Sequence, residues 1–594
     1  MKIFLPKISL AILLLVSINF AGFSQYEVQS QYINEPELMI EFAEDCALFW
    51  QGVHDDTYGG FFVEVGKSGN ILNNNNKSLV SESRDAYGFT RAFMLTGNEE
   101  YLDYAKSALD FMYEHLWDEQ YGGWHRRCNR SGNYPYLGEK TAFDQHYALL
   151  GITAYYEATN NATDLEMLEN GYDFIENSLW DNRPEYLGYY DETNRSGSFS
   201  YDKSFNATVD AITTHLYNLY LITKDDKYFT RLMEMKRNIQ DYLVSSMANQ
   251  EIGFVENYNS TWAVNNSERR TIMGHVLKTG WCMGRIYRIN EDDETLESAK
   301  ALVQNVLDKG YDHELGGPYK DYDRITGEMY MYGASDTAKA WWQMEQAITS
   351  GFLLYEITAE DKYLKMADES LDFFMNYFVD PVYGEIYADR NREGGRVPGW
   401  DENKGSEWKA AYHSIETAYY SFLYSKLLIK QESATLYYKF DATADSRTLN
   451  MTPLAVDFAK LKIDNITLNG NDYPDFNSDL RTLTIPAGTG GIFAVSYKMT
   501  SSPYSVEENE TLASVNIFPN PFKNVVYLEF NLKKANFVNV SVYNNMGQKI
   551  ETLENRKMTK GQYNLSWNTE VNPGFYYIVM TADGQRFTYK IIRE

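Results

Sequence analysis

Two histidines, His275 and His413, each stand where an otherwise apolar segment of the chain begins. A histidine with an unperturbed pKa of about 6.5 changes protonation near neutral pH, so two of them can serve as a base and an acid in one reaction. Polar groups on apolar helices are costly to bury unless they have a partner or a task. Their equivalent positions in two segments favour a functional site over two unrelated core histidines.

Six segment starts of this kind can be recognised, and each is rich in polar side chains. Three of them also supply carboxylates, Asp144, Asp210 and Glu345, of the type that a glycosidase uses in pairs. The six starts are 83–85, 143–146, 206–210, 274–278, 339–345 and 408–413.

The elements that position these residues come from an internal repeat. Each copy combines an amphipathic helix, a glycine turn, a short aromatic strand and a helix that is apolar or small nearly all round. The marker glycines stand at positions 60, 123, 188, 253, 317 and 384, which are 63 to 67 residues apart. Because all-round apolar helices belong in an interior, the pattern predicts six helical hairpins that form an (α/α)6 barrel over residues 30–430.

At these residues the chain resembles the N-acylglucosamine 2-epimerase superfamily, which includes cellobiose 2-epimerases and mannose isomerases. The resemblance spans roughly Glu37 to Lys430. It implies proton abstraction from carbon 2 of a ring-opened sugar, with return of the proton to the other face or to carbon 1. The matching blocks are Ser83-Arg84, Asp144-Gln145 with Tyr147-Ala148, Asn206, Gly274-His275, Trp341-x-Gln343-x-Glu345, and Trp408-Lys409 with Tyr412-His413.

By this resemblance His275 and His413 are the catalytic pair across an enediolate, and Arg84 binds the carbonyl or enediolate oxygen. Helix N-termini and an arginine would favour the developing oxyanion. No cofactor and no metal are expected, since the sequence has neither HExxH nor a carboxylate cage. The further substrate-binding candidates are Gln145, Asn206, Asp210, Lys278, Trp341, Glu345 and Trp408.

Three positions depart from the cellobiose 2-epimerase pattern. Lys278 stands where that pattern has a glutamate, Thr208 where it has a histidine, and Phe143 where it has a tyrosine. Lys278 lies one helical turn after His275 and on the same face. Its ammonium would lower the pKa of His275 or pair with an anionic substrate.

Other classes of function stay open at this stage. A polysaccharide lyase also removes a proton beside a carbonyl-type group, at carbon 5 of a uronate, and a histidine base with Arg84 and Lys278 to neutralise the carboxylate would suit it. A glycoside hydrolase would use two of the three carboxylates named above. A non-catalytic glycan-binding protein on the cell surface is the third alternative.

Composition limits the partners of the chain. Its 594 residues carry 54 lysines and arginines against 83 acidic residues, a net charge of −29. Nucleic acids and anionic membrane surfaces bind through basic patches, so neither is expected as a partner. An aromatic content of 15% is too high for a disordered acidic chain and predicts a folded, soluble protein. The three cysteines form no CxxC motif and are predicted to be buried.

The beginning of the chain has the features of a secretory signal. Two lysines, an apolar stretch and small residues before Ser24 predict a cleaved signal peptide over residues 1–24. The apolar run is shorter than the roughly 20 residues that span a bilayer, so the mature chain is predicted to have no integral membrane span.

The remainder of the chain alternates in the manner of β-strands. We predict a small β domain over 434–500, a linker over 501–513 and a β-sandwich over 514–594. The blocks 517–522, 543–547, 573–577 and 589–592 resemble the type IX secretion sorting domain of Bacteroidetes. This resemblance implies export to the medium or the cell surface, with the type IX machinery as a partner. The expected fold is an (α/α)6 barrel followed by two small all-β domains, and the expected ligand is a mono- or oligosaccharide.

Overall fold

In the computed structural model the described residues are 26–331, 334–399, 402–500, 512–544, 549–582 and 585–593. They form two compact units, of which the first ends at Met499 and the second begins at Thr500. The predicted signal peptide, residues 1–24, and residues 501–511 of the predicted linker lie outside the described residues.

The described part of the first unit is built on twelve long helices that alternate between an outer and an inner ring. The predicted (α/α)6 barrel is therefore confirmed. The outer helices are α1 (Glu37–Gln51), α3 (Glu100–Phe111), α5 (Ala162–Ser178), α7 (Asp226–Asn238), α9 (Asp293–Lys309) and α11 (Asp361–Phe373). The inner helices are α2 (Leu79–Thr96), α4 (Ala142–Thr159), α6 (206–223), α8 (Met273–Ile289), α10 (Trp341–Thr358) and α12 (Tyr412–Tyr424).

The two rings differ in burial as the sequence pattern requires. Every residue of α2 from 79 to 95 is buried, whereas α3 buries one stripe that includes Tyr101, Ala105 and Ala108. The inner helix α2 ends at Gly97, whose left-handed φ of 74° lets its N–H donate to the Phe93 carbonyl. The N-terminal ends of the inner helices lie on the side of the glycine turns, since residues just before these helices contact the turns.

A buried lysine ties each glycine turn to the segment that leads into the next inner helix, in five of the six described repeats. We call this arrangement the lysine clasp. In the second repeat, Lys140 Nζ lies 3.0 Å from a carboxylate oxygen of Asp118 and also donates to the Gly122 carbonyl. The other clasps join Lys77 to Asp55 and Gly59, Lys203 to Asp181 and Gly188, Lys339 to Asp312 and Gly316, and Lys404 to Asp380 and Gly384.

The fourth repeat holds its turn differently. Thr271 occupies the position of the lysine, and its hydroxyl accepts a hydrogen bond from the Phe254 N–H at 3.2 Å. The Gly253 N–H donates to the side-chain carbonyl of Asn305 at 2.8 Å. Neutral hydrogen bonds therefore replace the ion pair in this repeat.

The last seven strands of the first unit form what we call the β module. Its strands are antiparallel, in the orders β1-β7-β3-β4 and β2-β6-β5. The module packs on the C-terminal ends of inner helices, where the Tyr437 ring lies against Gly97 and Asn450 donates to the Leu221 carbonyl at 3.1 Å. The strands are β1 (Ala434–Phe440), β2 (Arg447–Asn450), β3 (Leu461–Leu468), β4 (Asn471–Asp472), β5 (Phe476–Asn477), β6 (Thr482–Ile485) and β7 (Gly491–Met499).

The second unit is a sandwich of two antiparallel sheets with the orders β8-β9-β12 and β11-β10-β13-β14. Alternate residues of β9, Val526, Leu528 and Phe530, point into its core beside Trp567. Its strands are β8 (Leu512–Phe518), β9 (Val525–Leu532), β10 (Asn536–Asn544), β11 (Lys549–Met558), β12 (Gly561–Asn568), β13 (Gly574–Ala582) and β14 (Gln585–Arg593). Among the described residues, no helix is both long and apolar enough to cross a membrane.

The clasps predict a strong dependence of stability on their lysines. Replacing Lys404 by Met leaves the buried carboxylate of Asp380 without its 3.2 Å ammonium partner, which should lower the free energy of unfolding by about 3–5 kcal/mol. Lys106→Met is the control, because it removes a partly exposed i,i+4 pair with Asp110 and should change stability by about 0.5 kcal/mol. Urea unfolding followed by tryptophan fluorescence measures both, and equal effects would contradict the importance of the clasp.

The clasps also predict acid sensitivity. Burial raises the pKa of Asp118, but hydrogen bonds from Arg195 and Lys140 outweigh it and bring the pKa to about 2. Since this folded-state pKa lies below the unfolded value of about 3.9, its stabilisation is complete above about pH 4 and is lost as the pH falls through about 2. Asp118→Asn should therefore flatten the decline in unfolding free energy over that interval, as measured by urea unfolding at several pH values. The prediction would be wrong if the unfolding free energy of Asp118→Asn fell with acid as steeply as that of the wild type.

Candidate active site

A two-part cavity opens at the N-terminal ends of the inner helices. The outer chamber has a volume of about 680 Å³ and the inner chamber about 160 Å³. The residues that line both chambers are Phe143, Asn206, His275, Trp341, Trp342 and Trp408. Charged side chains of the outer chamber include Arg126, Arg270, Lys320, Asp321 and Asp389.

The inner chamber brings together most of the residues singled out in the sequence. Arg84, Asn206, Asp210, His275, Lys278, Trp341, Trp408 and His413 all line it. Both histidines thus contribute to one small cavity although 138 positions separate them in the sequence.

His275 is oriented by a carboxylate that the sequence analysis did not identify. Its Nδ1 lies 2.7 Å from a carboxylate oxygen of Glu256, which also accepts a hydrogen bond from the Ile272 N–H at 2.9 Å. The imidazole ring stacks on Phe205 with ring centroids 3.8 Å apart. A carboxylate at Nδ1 assigns the proton to that nitrogen and leaves Nε2 available. The only signal in the sequence is that Glu256 follows the glycine turn of the fourth repeat.

His413 is surrounded by buried acids. Its Nδ1 lies 3.5 Å from Glu345 and 3.8 Å from Glu416. Burial lowers the pKa of His413 well below its ordinary value, and the positive charges of Arg84 and Lys278 act in the same direction. The imidazole is therefore neutral near pH 7.

The two acids beside His413 behave as a coupled pair. Burial, together with the nearby Glu416, raises the pKa of Glu345 well above its ordinary value. Burial likewise raises the pKa of Glu416 to about 7, although it accepts a hydrogen bond from the Tyr87 hydroxyl at 2.9 Å. Two carboxyl groups this close favour sharing a proton over carrying two charges.

Among the described residues, Glu345, His413 and Glu416 bring ligand-type atoms within 4.8 Å of one another, a group that could hold a metal ion. The positive charges that act on His413, from Arg84, Lys278 and Lys409, oppose a further cation at this position. We therefore interpret the three residues as an acid–base cluster.

Arg84 is fixed against the wall of the inner chamber. It donates from Nη1 to the Trp408 carbonyl, and its guanidinium lies over the Tyr147 and Tyr412 rings at 4.5 and 5.5 Å. Its buried Nε has no hydrogen-bond partner among the described residues. A donor is thus left for a ligand.

Lys278 is paired inside the barrel. Its ammonium lies 2.5 Å from Asp210 and donates to the Tyr147 hydroxyl at 3.2 Å. Burial alone would lower the pKa of Lys278, but the charge of Asp210 outweighs it and raises the pKa above its ordinary value. Asp210 also accepts a hydrogen bond from Asn206 at 2.8 Å. The departure at position 278 therefore belongs to an internal network.

Two of the predicted substrate-binding residues do not reach the cavity. Gln145 is fully buried and exchanges hydrogen bonds with the backbone of Trp124, accepting at 2.8 Å and donating at 3.0 Å. It anchors the glycine turn because it faces the loop, as Glu82 does one repeat earlier through the Phe61 N–H. Glu345 lies behind His413. The prediction of direct sugar contacts therefore has no geometric support for either residue.

Comparison with known proteins describes both units. Residues 60–416 match the family model for N-acylglucosamine 2-epimerase (GlcNAc 2-epimerase). The chain belongs to this family. Residues 516–594 match the secretion system C-terminal sorting domain, in agreement with the predicted type IX sorting sandwich. The resemblance to this family, carried by the six sequence blocks between Ser83 and His413, is therefore confirmed.

The relatives match between 61% and 66% of this chain, and the match takes in at least 91% of each relative. A cellobiose 2-epimerase of Eubacterium cellulosolvens is 23% identical over 401 residues, 63% of this chain and 94% of the relative. A D-mannose isomerase of Marinomonas mediterranea is 23% identical over 383 residues, 61% of this chain and 91% of the relative. The structure of a cellobiose 2-epimerase from Bacillus thermoamylovorans B4167 superposes with a TM-score of 0.58 at 21% identity, covering 66% of this chain and 99% of that one. This similarity shows a shared barrel fold.

The Lys278–Asp210 pair gives a direct test of the site geometry. Lys278→Met should lower the unfolding free energy by about 3–5 kcal/mol, because it leaves a buried carboxylate without its ammonium. The double variant Lys278→Met with Asp210→Asn should recover much of this loss, since no unpaired charge then remains. Thermal unfolding measures both. A double variant no more stable than the single one would contradict the pairing.

Proposed function

We propose that the chain is an exported sugar epimerase or isomerase in which His275 and His413 move a proton at carbon 2 of an aldose. The observation that carries this proposal is that both imidazoles line one inner chamber of about 160 Å³, with a carboxylate beside each Nδ1. Two histidines across a small cavity can work on opposite faces of the same carbon atom.

The proposed reaction begins with an open-chain aldose in the inner chamber. Neutral His413 accepts the proton from carbon 2, the C–H electrons form a C1=C2 double bond, and the carbonyl oxygen becomes an enediolate oxyanion. Arg84, whose side chain lines the inner chamber, donates to this oxygen. A charged donor in a buried cavity stabilises such an oxyanion strongly.

Which histidine returns a proton to the enediolate determines the product. If His275 has taken up a second proton from solvent at Nε2 and donates it to the opposite face of carbon 2, the carbonyl re-forms and the product is the epimer. If His413 instead returns its proton to carbon 1 while the hydroxyl proton moves from O2 to O1, the product is the ketose. The carboxylate of Glu256, 2.7 Å from Nδ1, holds the imidazole of His275 in one orientation for this step.

The outer chamber supports a substrate larger than one sugar ring. Its volume is about 680 Å³, and Trp408, with 42% of its surface exposed, offers an aromatic face beside Phe143. Apolar sugar faces stack on such rings. We therefore propose that the reducing-end sugar occupies the inner chamber and that further units of an oligosaccharide extend into the outer one.

Export is part of the proposal. The sorting domain at residues 516–594 supports secretion through the type IX machinery, after a signal peptide over residues 1–24 has been removed. The enzyme would then act on sugars outside the cell or at its surface, with residues 30–430 as the catalytic domain.

Solvent isotope exchange tests the proposed reaction. Incubation with cellobiose, mannose or N-acetylmannosamine in deuterated water should place deuterium at carbon 2 of at least one sugar, detected by NMR. His275→Ala and His413→Ala should each lower the exchange rate by about 10²- to 10⁴-fold, the usual contribution of a general acid or base.

His115→Ala is the matched control, because His115 lies at the end of the outer helix region and outside both chambers. It should exchange at the wild-type rate. Exchange with none of the aldoses, or full activity in both site variants, would overturn the proposal; an unsaturated product from a uronate polymer would indicate a lyase instead.

A further inference from the structure

A buried segment of the β module closes the end of the barrel opposite the cavity. We call residues 451–458 the plug. Met451, Leu454, Val456 and Phe458 of the plug are each at most 3% exposed. A loop between two strands rarely buries so many side chains unless it fills a space in the fold.

The plug is bonded to several inner helices at once. The Leu454 N–H donates to Glu157 at the end of α4 at 2.8 Å, and the Leu454 carbonyl accepts from Arg285 of α8. Phe458 packs edge-on against Tyr424 of α12 with ring centroids 5.2 Å apart. The plug therefore fixes three inner helices relative to one another.

A chain of buried polar contacts leads from the plug to His413. Glu157 forms an ion pair with Arg91, whose guanidinium lies over the Tyr87 ring at 4.8 Å. The Tyr87 hydroxyl donates to Glu416 at 2.9 Å, and Glu416 lies 3.8 Å from His413 Nδ1. The side chains of Arg91, Glu157, Glu416 and His413 are each at most 8% exposed and Tyr87 is 4% exposed, so water screens these contacts little.

A solved structure with the same barrel fold is matched by only part of this chain. The Bacillus thermoamylovorans structure is covered to 99% by a match that uses only 66% of this chain. About a third of this chain therefore lies outside the match, and the bonds between the plug and the inner helices come in addition to the contacts among the barrel helices themselves.

We propose that the plug and the residues Glu157, Arg91, Tyr87 and Glu416 are positioning elements of the active site, which hold His413 in its working orientation from the far end of the barrel. This inference rests on the proposed function only in assigning a reaction to His413. The β module is then part of the enzyme.

The charges around His413 determine in which direction its pKa should change in a variant. Its other charged neighbours are Glu345 on α10, Arg84 on α2, Lys278 on α8 and Lys409 before α12. Glu157→Gln leaves the charge of Arg91 uncompensated, which favours the ionised form of Glu416 beside His413. The measured pKa of His413 should therefore rise in this variant.

The experiment uses the full-length chain labelled with carbon-13 at the histidine Cε1 positions. The His413 signal is assigned by its loss in His413→Gln and is titrated by NMR in the wild type and in Glu157→Gln. We expect a rise of at least about half a pKa unit in Glu157→Gln. This measurement requires no turnover. It therefore tests the coupling from Glu157 through Arg91, Tyr87 and Glu416 to His413, which we call the relay, even if no sugar is converted.

Kinetics of carbon-2 exchange provide the second readout. Tyr87→Phe and Leu454→Ala should each lower kcat by about 10- to 100-fold with little change in KM, because they disturb the orientation of a catalytic group and not sugar binding. The matched controls are Tyr113→Phe, which removes a hydroxyl bonded to Asp164 at 2.9 Å, and Leu168→Ala, a fully buried leucine of an outer helix.

Both controls should lower thermal stability while kcat stays at the wild-type value. An unchanged His413 pKa in Glu157→Gln would overturn the proposal, and so would kcat losses in the controls equal to those in the relay variants. Failure of the proposed function has a different signature, since exchange would be absent in the wild type while the His413 pKa still responded to Glu157→Gln.

Discussion

The lysine clasp is the interaction on which the active end of the barrel depends. An irregular segment separates each glycine turn from the inner-helix start, as in the 18 positions between Gly122 and Lys140, and helix packing alone does not fix the distance between them. An ammonium such as Lys140 between Asp118 and the Gly122 carbonyl fixes it by charge and by direction. The walls of the cavity are built from the segments that the clasps hold, so the geometry of the site inherits their rigidity.

Within that frame the two histidines have different electrostatic surroundings. Glu256 reaches His275 at hydrogen-bond distance from the buried segment that follows the fourth glycine turn, whereas His413 lies beside two coupled acids in the barrel interior. His275 thus has one carboxylate partner at Nδ1, whereas burial lowers the pKa of His413 and keeps its imidazole neutral. Such a difference between chemically identical side chains is what a reaction with one donor and one acceptor requires.

The sequence predicted what periodicity can reveal. Six glycine turns about 65 residues apart led to the barrel, and the helix starts led to the two histidines that share a chamber. Gln145 was misplaced because its position on the helix start, like that of Glu82, faces the turn instead of the cavity. Gln145 lies 63 residues after Glu82, which is one repeat length, and this spacing was the signal in the sequence that the two residues have the same structural role.

Other contacts had no periodic signal. Glu256 contacts His275 and Glu416 contacts His413. These contacts depend on the geometry of a loop and a helix, which residue types alone do not reveal. Leu454 and Glu157 are 297 positions apart, and nothing in either local sequence indicates that they meet. The lysines at 77, 140 and 203 are evenly spaced, so the clasps could have been found, but their partners could not.

The one described repeat without an ion-paired clasp is the fourth, and its turn leads directly to Glu256. Thr271 and Asn305 hold that turn through groups that do not titrate. When acid weakens the aspartates of the other repeats, the support behind His275 is therefore left intact. The carboxylate beside His275 therefore follows a turn whose own hydrogen bonds do not change with the pH of the surrounding medium.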